Sequence, residues 1–301
     1  MPAKTLHTIL VFISVILWGS VYPVVRNLVT EGVPPYMIAY LRICFSLLTS
    51  LALLLASGEK PRLKEVKNSF WPLLAMALSG VVFFQGLLSL GMQYTQAGKS
   101  TLINAVNPAI IVILAHFLLK EPLSFRQVAG VAVSLAGVII CLTGDPSFNI
   151  RSLDFIAGDL MFVGTAFCWS FYTILGRRYG CGISYKATLF WVYFLAFLLI
   201  LPFFVSSFVQ LAQITPGQWL YLLYLGSLPG GVCFYFWNRS LPVIGTATCG
   251  MINSLLPVSA IVISTLWLQE QLNLLQLSGG ALVILGVWQG IKKAKPPVYA
   301  E

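Results

Sequence analysis

Two pairs of tryptophan and tyrosine stand near the middle of two apolar stretches of the chain: Trp18 with Tyr22, and Trp169 with Tyr172. Indole and phenol rings combine a rigid apolar face with a polar edge, which suits the wall of a cavity that holds a small organic molecule. Packing against lipid is the alternative. We predict that these four side chains line a substrate pathway.

Arg42 lies well inside another apolar stretch. A charge buried in a membrane is costly and is usually paired or functional. Guanidinium binds a carboxylate through two parallel hydrogen bonds, so Arg42 is a candidate site for an anionic substrate group. Pairing with Glu31 or Glu270, or snorkelling of the side chain towards the outer surface, are the alternatives.

Two asparagines, Asn104 and Asn253, each precede a proline by four residues, Pro108 and Pro257. A proline inside a helix leaves the carbonyl four residues earlier without its hydrogen bond. The pattern predicts a free backbone acceptor and an amide side chain close together near the membrane centre, with the prolines as hinges. A packing kink with the asparagine bonded to a neighbouring helix is the alternative.

Several other polar residues are weaker candidates. Gln85 and Tyr235 are expected to complete the pathway. Four charged residues near the ends of apolar stretches are candidate gating or coupling groups: Lys99, Glu121, Asp159 and Glu270. Among them, Asp159 is the best candidate for protonation. For the two glutamates, capping of a loop is the alternative role.

The residue types do not predict catalysis. The six cysteines are scattered and form no CxxC pair, and His, Asp and Ser do not cluster as a hydrolase or a metal enzyme requires. We therefore expect no metal, no cofactor and no enzymatic activity.

The composition places these residues in lipid. Hydrophobic residues make up 58% of the 301 residues, charged residues 9%, and the mean hydropathy is +0.88, whereas a soluble domain is about a quarter charged. Apolar runs long enough for membrane helices alternate with short loops. Ten spans are predicted: 6–28, 36–57, 71–93, 98–119, 126–143, 156–177, 186–208, 217–238, 245–268 and 274–291.

The net charge of +9 follows this topology. If the N-terminus is cytoplasmic, most of the eighteen Lys and Arg residues lie in cytoplasmic segments, as the positive-inside rule requires. We therefore expect a multi-pass protein of the plasma (inner) membrane with both termini cytoplasmic. The basic residues then face anionic lipid headgroups, and no nucleic acid is expected as a partner. The protein is expected to be a monomer or a homodimer.

The chain carries one pattern twice. NAVNPAIIVILAHFLLKEPLS (104–124) returns as NSLLPVSAIVISTLWLQEQLN (253–273), 149 residues later. The predicted units are residues 1–143 and 152–291, joined by an outer linker, 144–151, and followed by a basic cytoplasmic tail, 292–301. Five spans in each unit would invert the second copy, which explains why the cytoplasmic Lys120 becomes the outer Gln269. Inverted repeats permit alternating access to a central site.

The chain resembles the EamA family of the drug/metabolite transporter superfamily. The resemblance rests on ILWGSVYPVVR (16–26), AYLRICFSLL (39–48), the repeated asparagine–proline pattern and the glycine-spaced GVAVSLAGVII (130–140). It implies a ten-helix fold with a central cavity, and export or exchange of small metabolites. The chain departs from the family pattern at FCWSFYTI, which lacks the Trp-Gly pair, and at Trp191, which stands opposite Arg42.

Together these observations predict an all-α polytopic membrane protein of ten transmembrane helices, arranged as two inverted five-helix repeats around a central cavity. The predicted function is secondary transport of a small organic metabolite, an amino acid or a related amphipathic compound, by alternating access. A membrane receptor or an accessory subunit without transport is the alternative.

Overall fold

The computed structural model describes residues 3–94, 100, 103–143, 157–179, 183–205, 208–268 and 274–291. Within these ranges the chain is helical, with short turns and no β-strand. The structure therefore confirms the all-α class.

Helices of the first half run from residue 3 to residue 143. Several are interrupted, and one interruption is a π-helix, in which each N–H bonds the carbonyl five residues earlier. The elements are α1 (Ala3–Gly19), α2 (Val21–Thr30), α3 (Pro35–Ala56), α4 (Leu63–Met76), the π-helix π1 (Ala77–Phe83), α5 (Phe84–Tyr94), α6 (Asn107–Leu119) and α7 (Phe125–Thr143).

Helices of the second half are described from residue 157 to residue 291, and one π-helix again interrupts them. The elements are α8 (Ala157–Tyr179), α9 (Tyr185–Val205), a 3₁₀ turn (Phe208–Gln213), α10 (Pro216–Leu225), the π-helix π2 (Gly226–Val232), α11 (Cys233–Ile244), α12 (Thr246–Asn253), α13 (Leu256–Leu268) and α14 (Leu274–Ile291).

Apolar helices that could cross a membrane occur throughout the described part of the chain. Three apolar helices, Asn107–Leu119, Phe125–Ile140 and Leu277–Gly290, are shorter than a full span and correspond to predicted spans four, five and ten. The count of ten spans therefore stays a prediction. Seven helical stretches are long and apolar enough to cross a bilayer: Ala3–Thr30, Pro35–Ala56, Val66–Tyr94, Ala157–Tyr179, Tyr185–Pro202, Pro216–Ile244 and Thr246–Ile263.

Irregular features recur at the spacing of the sequence repeat. The π-helices begin at Ala77 and Gly226, and each has seven residues. Helices α6 and α13 begin at Asn107 and Leu256, and each has thirteen residues. In both comparisons the offset is 149 residues. A π-helix is rare, so its return at the same offset adds to the evidence from side-chain identities.

Glycines let α7 and α14 pack with their backbones in contact. A Cβ added at Gly130 would lie 2.6 Å from the carbonyl oxygen of Gly286, and one added at Gly137 would lie 2.7 Å from that of Gly279. Since Gly279 and Gly286 are the repeat equivalents of Gly130 and Gly137, each contact is the image of the other. That reciprocity is the mark of a two-fold relation, and the order of the contacts makes the two helices antiparallel.

Polar contacts define the two ends of the helical bundle. At one end, the Gln218 amide donates to Glu31 at 3.0 Å. At the other end, the Ser184 hydroxyl donates to Glu59, and Lys186 lies 3.9 Å from the same carboxylate. Helix α3 runs from the Glu31 end to the Glu59 end, whereas its repeat equivalent, α9, starts at the Glu59 end.

Pro108 and Pro257 each lie just after a short interruption of the helical chain, and their role as hinges stays a prediction. Each is the second residue of a new helix, α6 or α13, and a turn interrupts the chain just before it. Proline suits this position, because its fixed φ fits the first turn and its missing N–H would have no partner there.

Candidate functional site

A central cavity lies between the two halves of the bundle. Its wall combines aromatic rings, apolar side chains, three asparagines and one arginine. The lining residues are Trp18, Val21, Tyr22, Arg42, Phe84, Leu88, Asn104, Asn107, Trp169, Pro229, Phe234, Asn253 and Leu256.

Aromatic rings form one continuous wall of the cavity. The ring centroids of Trp18 and Trp169 are 4.8 Å apart in an edge-to-face arrangement, and Phe234 lies 5.2 Å from Trp169. Trp237 is fully buried behind them, 5.3 Å from Trp18. Edge-to-face contacts hold each ring in one orientation, so this wall is rigid and apolar.

The π-helix π2 supplies backbone acceptors to neighbouring helices. Trp18 Nε1 donates to the carbonyl of Pro229 at 2.8 Å, and the Tyr193 hydroxyl donates to that of Gly230 at 2.7 Å. The Ser46 hydroxyl donates to the carbonyl of Gly226 at 2.8 Å. These contacts join α1, α3 and α9 to π2, and they fix the indole of Trp18 at the cavity wall.

Arg42 projects into the cavity from α3 and is only 4% exposed. Within the described part of the chain, its Nε and Nη1 atoms have no hydrogen-bond partner. The carboxylate of Glu31 accepts instead from Asn27 and Gln218. Pairing with Glu31 and snorkelling to the surface are therefore both wrong. Because a buried guanidinium without partners is costly, the arrangement is suited to an anionic ligand.

Asparagines lie where α6 and α13 begin. The Thr165 hydroxyl lies within hydrogen-bond distance of two acceptors, Asn104 Oδ1 at 3.1 Å and the Phe162 carbonyl at 2.7 Å. Because the hydroxyl has one proton, it donates to one of them at a time. Asn253 Oδ1 is buried, and it has no hydrogen-bond partner among the described residues. The cavity thus presents an acceptor at Asn253 as well as the donors of Arg42.

The structure gathers most of the predicted pathway residues around one space: Trp18, Tyr22, Arg42, Asn104, Trp169 and Asn253 all line the cavity.

Gln85, Tyr172 and Tyr235 are not among the lining residues. Gln85 and Tyr172 are buried within the bundle, where the Tyr172 hydroxyl accepts from Asn238 at 2.6 Å. The Tyr235 hydroxyl accepts from Arg239 at 3.1 Å in an exposed contact. For these three residues, a role in the substrate pathway stays a prediction.

The candidate gating residues fall in different places. Asp159 is fully buried in the first turn of α8 and does not line the cavity. Glu121 accepts backbone N–H bonds from Thr246 at 3.1 Å and from Ala247 at 3.2 Å, which caps α12. Lys99 and Glu270 lie outside the described residues.

Several residues that line the cavity were not predicted from the sequence, including Asn107, Pro229 and Phe234. Asn107 had a usable signal, because it directly precedes Pro108 and lies one helical turn from Asn104. Phe234 had none, since it stands among other aromatic residues in FYFW. Pro229 lines the cavity because it lies in π2, and a π-helix leaves no clear pattern in a sequence.

The helical fold and the long apolar helices are those of a polytopic membrane protein. A family model described as the EamA-like transporter family matches residues 5–143 and residues 156–289. The chain belongs to this family of membrane transporters.

Similar proteins carry transport names. A "Probable terminal-alkyne amino-acid exporter" of Streptantibioticus cattleyicolor is 26% identical over 280 residues, which cover 91% of this chain and 90% of the relative. A "Probable amino-acid metabolite efflux pump" of Escherichia coli (strain K12) is 25% identical over 289 residues, which cover 93% of each chain. A solved crystal structure, 20% identical, has a TM-score of 0.77 and covers 96% of this chain and 98% of that chain, which shows a shared fold.

Proposed function

We propose that this protein is a secondary transporter that carries a small amphipathic metabolite, an amino acid or a close relative of one, across the plasma membrane. It works by alternating access, as an exporter or an exchanger. The substrate occupies the central cavity, with its carboxylate on Arg42 and its apolar part against the aromatic wall.

The observation that carries this proposal is the pair of unsatisfied polar groups in the cavity. Among the described residues, two buried donors of Arg42 and one buried acceptor of Asn253 have no hydrogen-bond partner. Buried polar groups normally have partners, because their desolvation is otherwise uncompensated. An amino acid supplies both missing groups, a carboxylate for the guanidinium and an ammonium group for the amide oxygen.

The cavity also suits the remainder of such a substrate. Small-molecule sites are mostly apolar, with a few polar groups that set the orientation. The cavity has such a lining, since aromatic and aliphatic side chains surround Arg42 and three asparagines. The rings of Trp18, Trp169 and Phe234 would cover an apolar side chain. The two relatives whose names include amino acids support the same substrate class.

Alternating access is supported by the paired architecture. The family model matches in two stretches, residues 5–143 and 156–289. The π-helices recur at one offset, and the glycine contacts between α7 and α14 are reciprocal. An antiparallel two-fold relation between repeats is the geometry of an inverted-repeat transporter, whose halves exchange conformations around a central site. We propose ten spans, arranged as two inverted repeats, with both termini in the cytoplasm.

Transport by the purified protein tests the proposal directly. Liposomes that contain the protein and are loaded with unlabelled amino acids are expected to accumulate external radiolabelled amino acid by exchange. Protein-free liposomes and the Arg42→Gln variant are the controls. Binding of amino acids without any exchange would favour the receptor or accessory-subunit alternative, and exchange of cations but not of amino acids would overturn the assigned substrate class.

The inverted topology predicts opposite labelling of two equivalent loops. Lys60 and Gln213 are both exposed, and they lie in corresponding loops of the two repeats. In a variant without the six native cysteines, Lys60→Cys is expected to react with a membrane-impermeant maleimide only from the cytoplasm, and Gln213→Cys only from outside. Labelling of both from the same side would contradict the inversion.

A further inference from the structure

We propose that a closed half of the transport pathway runs from the central cavity to the Glu121 end of the bundle, between α8 and α12, and that Glu121 is its latch. This proposal rests on the proposed function, because it assigns the surfaces that become wet when the transporter opens to this side. Under the proposed topology this side is the cytoplasmic one.

A line of unsatisfied polar atoms on α8 marks one wall of this closed half. Trp169, Thr173 and Arg177 follow one another at four-residue spacing, so they lie on one face of the helix. In the described part of the chain, Trp169 Nε1, Thr173 Oγ1 and Arg177 Nε are buried without a hydrogen-bond partner. The line starts at the cavity, which Trp169 lines, and ends at Arg177, whose Nε lies 3.9 Å from Glu121.

A second line of this kind follows α12. Asn253 lines the cavity, and Thr246 lies two helical turns away on the same face. Asn253 Oδ1 and Thr246 Oγ1 are buried, again with no hydrogen-bond partner among the residues that the structure describes. Both lines therefore lead from the same cavity to the same place, the contact of Glu121 with the start of α12.

The alignment of these atoms from the cavity to Glu121 favours a pathway over ordinary packing. A core that served only to close the bundle would be more stable with apolar side chains, because each buried polar atom without a partner is desolvated without compensation. Thr173 and Thr246 are both fully buried in this structure. A state that admits water or substrate would supply partners for both hydroxyls. We infer that this state is the one in which the Glu121 end is open.

Glu121 has the contacts that a latch requires. It follows α6 in the first half of the chain, and both of its carboxylate oxygens accept N–H bonds from the first turn of α12 in the second half. A carboxylate is stabilised at a helix N-terminus by the helix dipole as well as by these bonds. The side chain is 11% exposed, so solvent screens the contact only in part. Release of these bonds would free α12 to move away from α8.

The test measures how readily a cysteine on the closed wall reacts with a thiol reagent. In the variant without native cysteines, Thr173→Cys is expected to react slowly with N-ethylmaleimide. Adding Glu121→Gln is expected to raise the rate about tenfold or more, since the amide keeps the shape but loses charge-assisted bonds to the helix N-terminus. Labelling is followed by mass spectrometry of the purified, reconstituted protein.

Two controls separate opening of the latch from general loosening. Glu59→Gln also breaks a contact between the two halves at the same end, but this carboxylate is 40% exposed, and an exposed pair contributes little. It is expected to leave the rate at Thr173→Cys unchanged. Leu54→Cys places the reporter near the same end of α3, at a fully buried position away from both lines. It is expected to stay unreactive in every background.

An unchanged rate at Thr173→Cys in the Glu121→Gln variant would overturn the proposal. Equal increases at Thr173→Cys and Leu54→Cys would do so as well, since they would report unfolding instead of opening. If Glu121→Gln does not fold, Glu121→Asp, which shortens the reach to α12 by one methylene, takes its place with the same expected increase. The labelling needs no transport, so a protein that fails to exchange amino acids in liposomes still gives a decisive result here.

Discussion

Replacing Arg42 with glutamine is expected to lower the exchange of an amino acid by about tenfold to a hundredfold, because a hydrogen bond to a charged group contributes about 1.5–3 kcal/mol. Arg42→Lys is expected to retain an intermediate activity, since an ammonium group keeps the charge but cannot form two parallel bonds to a carboxylate. Initial rates of exchange in liposomes, measured across substrate concentrations, give the comparison.

Arg178→Gln is the matched control, because it removes the same charge from an exposed position near the end of α8. Its exchange rate is expected to equal that of the unchanged protein. A decarboxylated substrate analogue supplies the second arm. The analogue is expected to bind poorly to the unchanged protein, with little further loss in Arg42→Gln. Equal affinity of the unchanged protein for the acid and the analogue would exclude Arg42 as the carboxylate site.

Arg42→Gln is expected to preserve or raise the thermal stability of the protein while it lowers the rate of exchange. Arg42 is buried, and two of its donors have no partner among the described residues, so its side chain destabilises the empty protein. Arg42→Gln is therefore expected to unfold at the same temperature as the unchanged protein or at a higher one. A lower unfolding temperature would show that the guanidinium stabilises the fold, and loss of transport could then not be assigned to the substrate.

The helical fold was largely predictable because a lipid bilayer permits few backbone structures. Backbone groups in a bilayer must be satisfied within the chain, so a long apolar run predicts a helix without any further signal. The sequence did not predict how helices are interrupted. A proline within an apolar run is compatible with a bend or with a break, and at Pro108 and Pro257 the chain breaks. The local turn that replaces the helix has no sequence marker apart from proline itself.

The site was predictable where a residue type is unusual for its surroundings. Arg42 and Asn253 are polar in apolar runs, and both line the cavity. Aromatic residues carried less information, because they are common throughout the bundle. Tyr235 is adjacent to the lining residue Phe234, and one step along a helix turns a side chain by about 100°.

The close approach of α7 and α14 predicts a large loss of stability from one added methyl group. In Gly286→Ala the new Cβ would lie 2.4 Å from Ser134 Oγ and 2.6 Å from the carbonyl oxygen of Gly130. Because backbone atoms form part of this contact, one helix must move away from the other. Overpacking of this kind costs about 1–3 kcal/mol, and we expect a clearly lower unfolding temperature in detergent.

Gly280→Ala is the matched control on the same helix. Its new Cβ would meet only Val258 Cγ1, at 3.6 Å, which is an ordinary van der Waals contact. Both substitutions gain the same helix propensity, about 1 kcal/mol, so the difference between them isolates the contact with α7. Gly280→Ala is expected to unfold at the same temperature as the unchanged protein or slightly higher. Equal unfolding temperatures for the two variants would show that α7 and α14 are not in backbone contact, and the two-fold relation inferred from their glycines would then lose its support.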